Sequence, residues 1–102
     1  MHIIAEKALR VFAENNATAR PAADNLIDAL RKGRWTSIEG VRKIFPHADE
    51  VVVKNRKTVT VLNVGGNNWR CVVAFHYNTQ IVFILKTVTH AEYSKQKWKE
   101  TL

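Results

Sequence analysis

The chain has 102 residues, of which 46% are hydrophobic, enough for one core without help from a metal or a disulfide network. Cys71 is the only cysteine, so an intramolecular disulfide is excluded, and its place in an apolar run reads as a small buried hydrophobe. A formal charge of +7 points to a polyanion or an acidic protein as partner. The excess is uneven: residues 1–50 hold eight Lys/Arg against seven Asp/Glu, whereas residues 51–102 hold eight against only Glu92 and Glu100.

In chain order, Met1-His2-Ile3 reads as a very short first edge strand. Ile4, Ala8, Val11 and Phe12 then recur at the spacing of one helical face, and Asn15-Asn16 ends that helix. Pro21 suits the first turn of a second helix, along which Ala22, Leu26, Ala29 and Leu30 repeat the i, i+4, i+7, i+8 pattern. Gly33 stands where a C-terminal glycine cap belongs, which completes a helical hairpin. Thr36 and Glu39 have capping-box spacing, Ile38, Val41 and Phe45 share a face, and Pro46 stops a third, shorter helix. No basic region followed by an apolar stretch opens the chain, and no window approaches the ~20 apolar residues of a membrane span. A cytoplasmic protein without a membrane partner is therefore expected.

Strands follow after Asp49. Residues 50–53 and 58–64 are rich in Val and Thr, and Gly65-Gly66 signals a tight hairpin into a strand over 67–77. Asn78-Thr79 makes a weaker turn into residues 80–88, giving an antiparallel meander with helices on one face. Alternation puts Arg70, Val72, Ala74 and His76 on one face, opposite Trp69, Cys71, Val73, Phe75 and Tyr77. With a two-residue glycine loop, Val64 pairs with Asn67 and Val61 with Arg70, so Lys57 and Val59 join the Arg70 face and Lys57 and Arg70 reach one phosphate. His76 lies six residues from Arg70, about 20 Å at ~3.3 Å per residue, and is left out of the site. Lys86 is undecided: a two-residue loop at Asn78-Thr79 pairs it with Cys71 on the far face, and a three-residue loop pairs it with Val72 on the near one.

Thr89 and Glu92 have capping-box spacing, which starts a last helix and reads Glu92 as a cap. The i, i+3, i+7 rule then puts His90, Tyr93 and Lys97 on one face, beside the sheet edge where Lys57 and Arg70 project. Such a basic edge with proton-transfer groups suits cleavage or gripping of RNA. The four histidines are scattered, and no pair has metal-ligand spacing, so no metal or other cofactor is expected. Of Trp35, Trp69 and Trp98, at least two are expected in the core.

The opening MHII before a helix, Lys32-Gly33-Arg34-Trp35, Phe45-Pro46, and above all NVGGNNWR and THAEYSKQKW are similar to elements of the HigB family of toxins. That family belongs to bacterial toxin-antitoxin pairs, within the RelE-like superfamily, and the resemblance spans nearly the whole chain. It implies one α+β, RelE-like domain over residues 1–102, with a small antiparallel sheet packed against an N-terminal helical hairpin and a short C-terminal helix. It also implies an endoribonuclease that cuts mRNA in the translating ribosome, a helix-turn-helix antitoxin of the HigA kind, and operator DNA contacted only through the antitoxin complex. The NxGGNxxR element falls on Asn63, Gly65, Gly66, Asn67 and Arg70, and THAEY on Thr89 to Tyr93. Trp69, Leu85 and Ser94 depart from many relatives, which carry a Tyr, a basic residue and an acid there. Lys86 would replace the missing strand cation only through a bulge or a frayed strand end.

The implied reaction is attack of a ribose 2′-hydroxyl on the adjacent phosphate, which needs a base, a proton donor for the 5′-oxygen and cations for the phosphorane charge. Lys57 and Arg70 are the candidate cations and His90 and Tyr93 the candidate proton-transfer groups, with the identity of the base open. Lys54, Arg56, Asn67, Lys86, Lys95 and Lys97 are candidate RNA contacts. Two other readings share the charge asymmetry: a basic nucleic-acid-binding module without catalysis, and a decayed toxin that survives as an antitoxin-binding partner.

Overall fold

Alternating Val and Thr after Ala48 build a run of strands, each antiparallel to the next: β2 (Asp49–Val52), β3 (Thr58–Val64), β4 (Trp69–His76) and β5 (Ile81–Thr89). A short β1 (His2–Ile4) lies parallel to β5, so the five-stranded sheet has the order β1-β5-β4-β3-β2. The computed structural model describes residues 1–54, 56–65 and 68–102, with Thr101 by its backbone alone. The candidate Asn67, and Gly66 beside it, lie outside the described residues.

Helices α1 (Glu6–Asn15), α2 (Arg20–Lys32) and α3 (Ile38–Ile44) cover one face. Their Leu9, Leu26, Ile27, Leu30 and Val41 pack on Leu62, Val64, Cys71, Val73, Val82 and Ile84, the inward residues of the strands. Burying each of these side chains contributes about 1.5–3 kcal/mol. The other parity of the strands forms a second, smaller cluster of Val53, Val59, Val61, Val72 and Val88, covered by Trp98 from a 3₁₀ turn at Lys97–Thr101. A hydrogen bond from Arg31 of α2 to Glu6 joins α1 to α2, and Arg10 bonds the same carboxylate from within α1. The Arg10 bond, helped by the charges of both arginines, holds the Glu6 carboxyl below the usual carboxylate range. Among the described residues, no helix is long and apolar enough to cross a membrane.

Several sequence expectations need correcting. The inward residues of α1 are Leu9 and Ala13, while Val11 is 42% exposed and Ile4 belongs to β1. Ala5 adopts a left-handed φ of 65° between them, which breaks the chain direction and resets the helical phase. Ser37, not Thr36, is the N-cap of α3, with no side-chain cap bond. Gly33 does end α2, but with extended φ and ψ of −68° and 142°; glycine is needed there because a Cβ would run into the Trp35 ring. At the glycine hairpin the loop has four residues rather than two, so Val64 pairs with Trp69, and Asn63 instead of Val61 stands opposite Arg70. Because the register moves by two, every side chain keeps its expected face.

Candidate active site

Arg70 lies on β4, the third strand of five, so the basic site sits at the end of the central strands and not at a sheet edge as expected. The guanidinium is nearly buried, with the residue 8% exposed. Its Nη1 donates to the Trp69 carbonyl at 3.2 Å, its Nη2 meets His90 Nδ1 at 3.3 Å, and its Cζ lies 5.5 Å from the centre of the Tyr93 ring. A guanidinium has no acceptor, so this contact makes Nδ1 the acceptor and leaves the imidazole proton on Nε2.

Two features bring His90 and Tyr93 to this point. In the ladder, Trp69 pairs with Thr89 and Arg70 with Val88, so β5 delivers the chain beside Arg70 just where α4 (His90–Ser94) begins. There Thr89 and Glu92 form the expected capping box: the Glu92 N–H donates to Thr89 Oγ1 at 3.1 Å and the Thr89 N–H to Glu92 Oε1 at 3.2 Å. Glu92 is thus a cap. The His90 N–H also donates to the Asn68 carbonyl at 3.1 Å, which ties the helix start to the loop after β3. That loop turns at Gly65 with φ 61°, where a Cβ would come within 2.5 Å of the Trp69 ring.

The helix does not continue to Lys97. It ends at Ser94, Gln96 takes a left-handed φ of 65°, and Lys97 starts the separate 3₁₀ turn, so the expected common face of His90, Tyr93 and Lys97 holds only for the first two. This reversal carries Trp98 back under Tyr93. Their rings stack at 5.3 Å and 18°, and Trp98 Nε1 donates to the Tyr93 carbonyl at 3.1 Å. Arg70, Tyr93 and Trp98 therefore form a three-layer stack whose lowest member is 3% exposed. Sequence reading placed tryptophans mainly in the core, and Trp35 and Trp98 are buried. It missed that Trp98 also forms the floor of the site, since only the unforeseen turn at Gln96 brings it there.

The structure separates the remaining cations. Pairing between β4 and β5 shifts at Val72/Val73, where Val73 opposes Ile84 and Val72 opposes Lys86. The extra residue, Leu85, is a β-bulge, and it brings Lys86 onto the Arg70 face two positions down β4, about 7 Å away at ~3.3 Å per residue. Lys57 keeps the expected face but not the expected neighbour. Arg70 opposes Asn63, six positions from Lys57 along β3, which is about 20 Å by the same rise, so these two cations do not converge on one phosphate. Lys57 instead lines a groove with His76. Lys54 and Arg56 are exposed in the turn between β2 and β3, and Lys95 and Lys97 are exposed around the end of α4. Cys71 is fully buried, and desolvation pushes its thiol up to about 12, as a small hydrophobe requires.

A family model described as HigB toxin, a RelE-like toxic component of a toxin-antitoxin system, matches residues 19–96. An mRNA interferase toxin HigB from Escherichia coli (strain K12) is 31% identical over 93 residues, covering 91% of this chain and 88% of the relative. An mRNA interferase HigB from Shigella flexneri aligns to the same extent. A further mRNA interferase HigB, from Escherichia coli O6:H1, is 28% identical over 95 residues, covering 93% of this chain and 90% of its own. The family match takes in β2 to β5, α4 and the cluster of Arg70, His90 and Tyr93, while Trp98 lies just beyond it. The chain belongs to the HigB toxin family, the RelE-like toxic component of a toxin-antitoxin system.

Proposed function

We propose that this protein is the toxin of a type II toxin-antitoxin pair and acts as an mRNA endoribonuclease that blocks translation. The observation that carries this reading is the convergence of Arg70, His90 and Tyr93, from two elements, at the end of β4. Arg70 is suited to two phosphate oxygens through its planar fork, and it stabilises the charge that develops on the phosphorane. A scissile phosphate that occupies both Arg70 Nη groups releases His90 Nδ1, which takes the proton of the 2′-hydroxyl. The 2′-oxygen then bonds to phosphorus, the bond from phosphorus to the 5′-oxygen breaks, and the leaving oxygen takes a proton from the Tyr93 hydroxyl. The products are a 2′,3′-cyclic phosphate and a 5′-hydroxyl end, and no oxidant or further reactant enters.

Lys86 and the exposed Lys54, Arg56, Lys95 and Lys97 serve phosphates away from the reacting bond. Lys57 belongs with them and not with Arg70. The ribosome supplies the in-line geometry by holding the codon taut, a proximity effect that a small open site does not generate alone. The natural inhibitor is an antitoxin of the helix-turn-helix, HigA kind, operator DNA is met through that complex, and the site of action is the cytoplasm.

Induction of this protein alone, with protein levels and mRNA ends followed, tests the reading. Growth and translation are expected to stop, with cuts inside coding regions. Unimpaired growth at confirmed soluble expression overturns it.

A further inference from the structure

Down the Arg70 face, beyond the bulge, the sheet opens into a groove of about 560 Å³ lined in part by Lys57, Val59, Ala74, His76, Phe83 and Leu85. The His76 and Phe83 rings meet edge to face at 5.0 Å and 69°, with His76 exposed and Phe83 half-buried. Leu85 is 36% exposed, an apolar side chain that the bulge turns outward beside Lys86. Among the described residues, no acidic side chain lines the groove. Lys57 stands at its wall, with exposed Lys54 and Arg56 in the turn just before, and Lys86 lies between it and Arg70. An apolar slot with an aromatic ring, joined to the candidate active site by cations on the same sheet face, matches one strand of RNA better than an acidic helix. Bases need flat apolar walls, and phosphates need charges spaced along a path.

We propose that this groove is a nucleobase subsite for the RNA strand held at Arg70, an inference that rests on the endoribonuclease reading. The base stacks on Phe83 between Leu85 and Val59, and the His76 imidazole hydrogen-bonds its edge and so selects among bases. Because Phe83 opposes Ala74, four positions from Arg70 along β4 and so about 13 Å away at ~3.3 Å per residue, the base read there is two or more nucleotides from the bond that is cut. The groove thus sets sequence context, whereas the cluster at Arg70 does the chemistry.

The test is sequencing of mRNA ends after induction of the full chain, compared with Phe83→Leu and His76→Ala at equal soluble levels. The first variant keeps apolar volume and loses the ring; the second removes an exposed side chain and keeps the fold even if the first does not. The parent is expected to show a base preference two or more nucleotides from its cuts. Both variants should flatten that preference, lower cleavage of preferred sites about 10-fold, and leave the bases flanking the cut unchanged. A parent profile that is flat away from the cut, or variants that keep the distal preference and full cleavage, would overturn the proposal. So would variants with an unchanged profile that a co-expressed antitoxin no longer neutralises, an outcome that assigns the groove to the antitoxin. Failure of the endoribonuclease reading looks different, because then the parent yields no cuts at all and the subsite falls with it.

Discussion

Arg70 is the residue on which the proposed chemistry turns, and its setting explains how a nearly buried cation is tolerated. Burying an ion is costly unless its donors are satisfied, and here the Trp69 carbonyl, His90 Nδ1 and the Tyr93 face provide for it. Arg70→Ala is expected to lower cleavage on the order of 100-fold, the usual cost of removing a cation from a transition state, while the protein stays folded. Arg70→Lys should restore only part, because lysine lacks the planar fork. Toxicity at matched protein levels, together with melting temperature, checks both. His90 and Tyr93 touch the same guanidinium, so the double alanine variant should be little worse than the more damaging single one. Full activity in both single variants, with the parent's melting temperature retained, would remove α4 from the chemistry. These residues were legible beforehand because the capping box and the Gly65-Gly66 signal are local. The contact between Arg70 and His90 was not, since it spans twenty positions of sequence.

At the scale of elements, α4 is five residues long, too short to be stable by itself, and it persists through its cap and the Trp98 stack. Thr89→Ala should therefore cost about 1 kcal/mol of stability, the typical worth of an N-cap, measured by denaturant unfolding. Activity should fall further than stability does, because His90 is the first residue of the helix and its aim at Arg70 depends on that cap. An unchanged cleavage rate would show that the cap does not position His90. The bulge at Leu85 has the opposite standing. No residue of β5 announces it, and sequence reasoning left Lys86 facing the site only if a three-residue loop at Asn78-Thr79, a bulge or a frayed strand end intervened. The turn at Gln96 was equally silent, since a left-handed glutamine has no signature comparable to glycine.

The whole molecule divides its sheet between a helix-covered core on one face and the candidate catalytic cluster and its groove on the other. Cleavage is expected to persist in EDTA when ribosome integrity is controlled for, and to leave a 2′,3′-cyclic phosphate or 3′-phosphate. A 3′-hydroxyl end would instead implicate a water nucleophile, commonly metal-activated. The sequence by itself determined the order of elements, the capped start of the last helix, the face of every residue on β4 and the location of the positive charge. Each of these follows from spacing over a few residues, where periodicity and capping act directly. Only the tertiary structure decided that Lys57 stands about 20 Å from Arg70, that Lys86 joins the Arg70 face, and that Trp98 lies beneath Tyr93. Strand register and chain reversal depend on how distant side chains pack together, and no window of neighbouring residues contains that information.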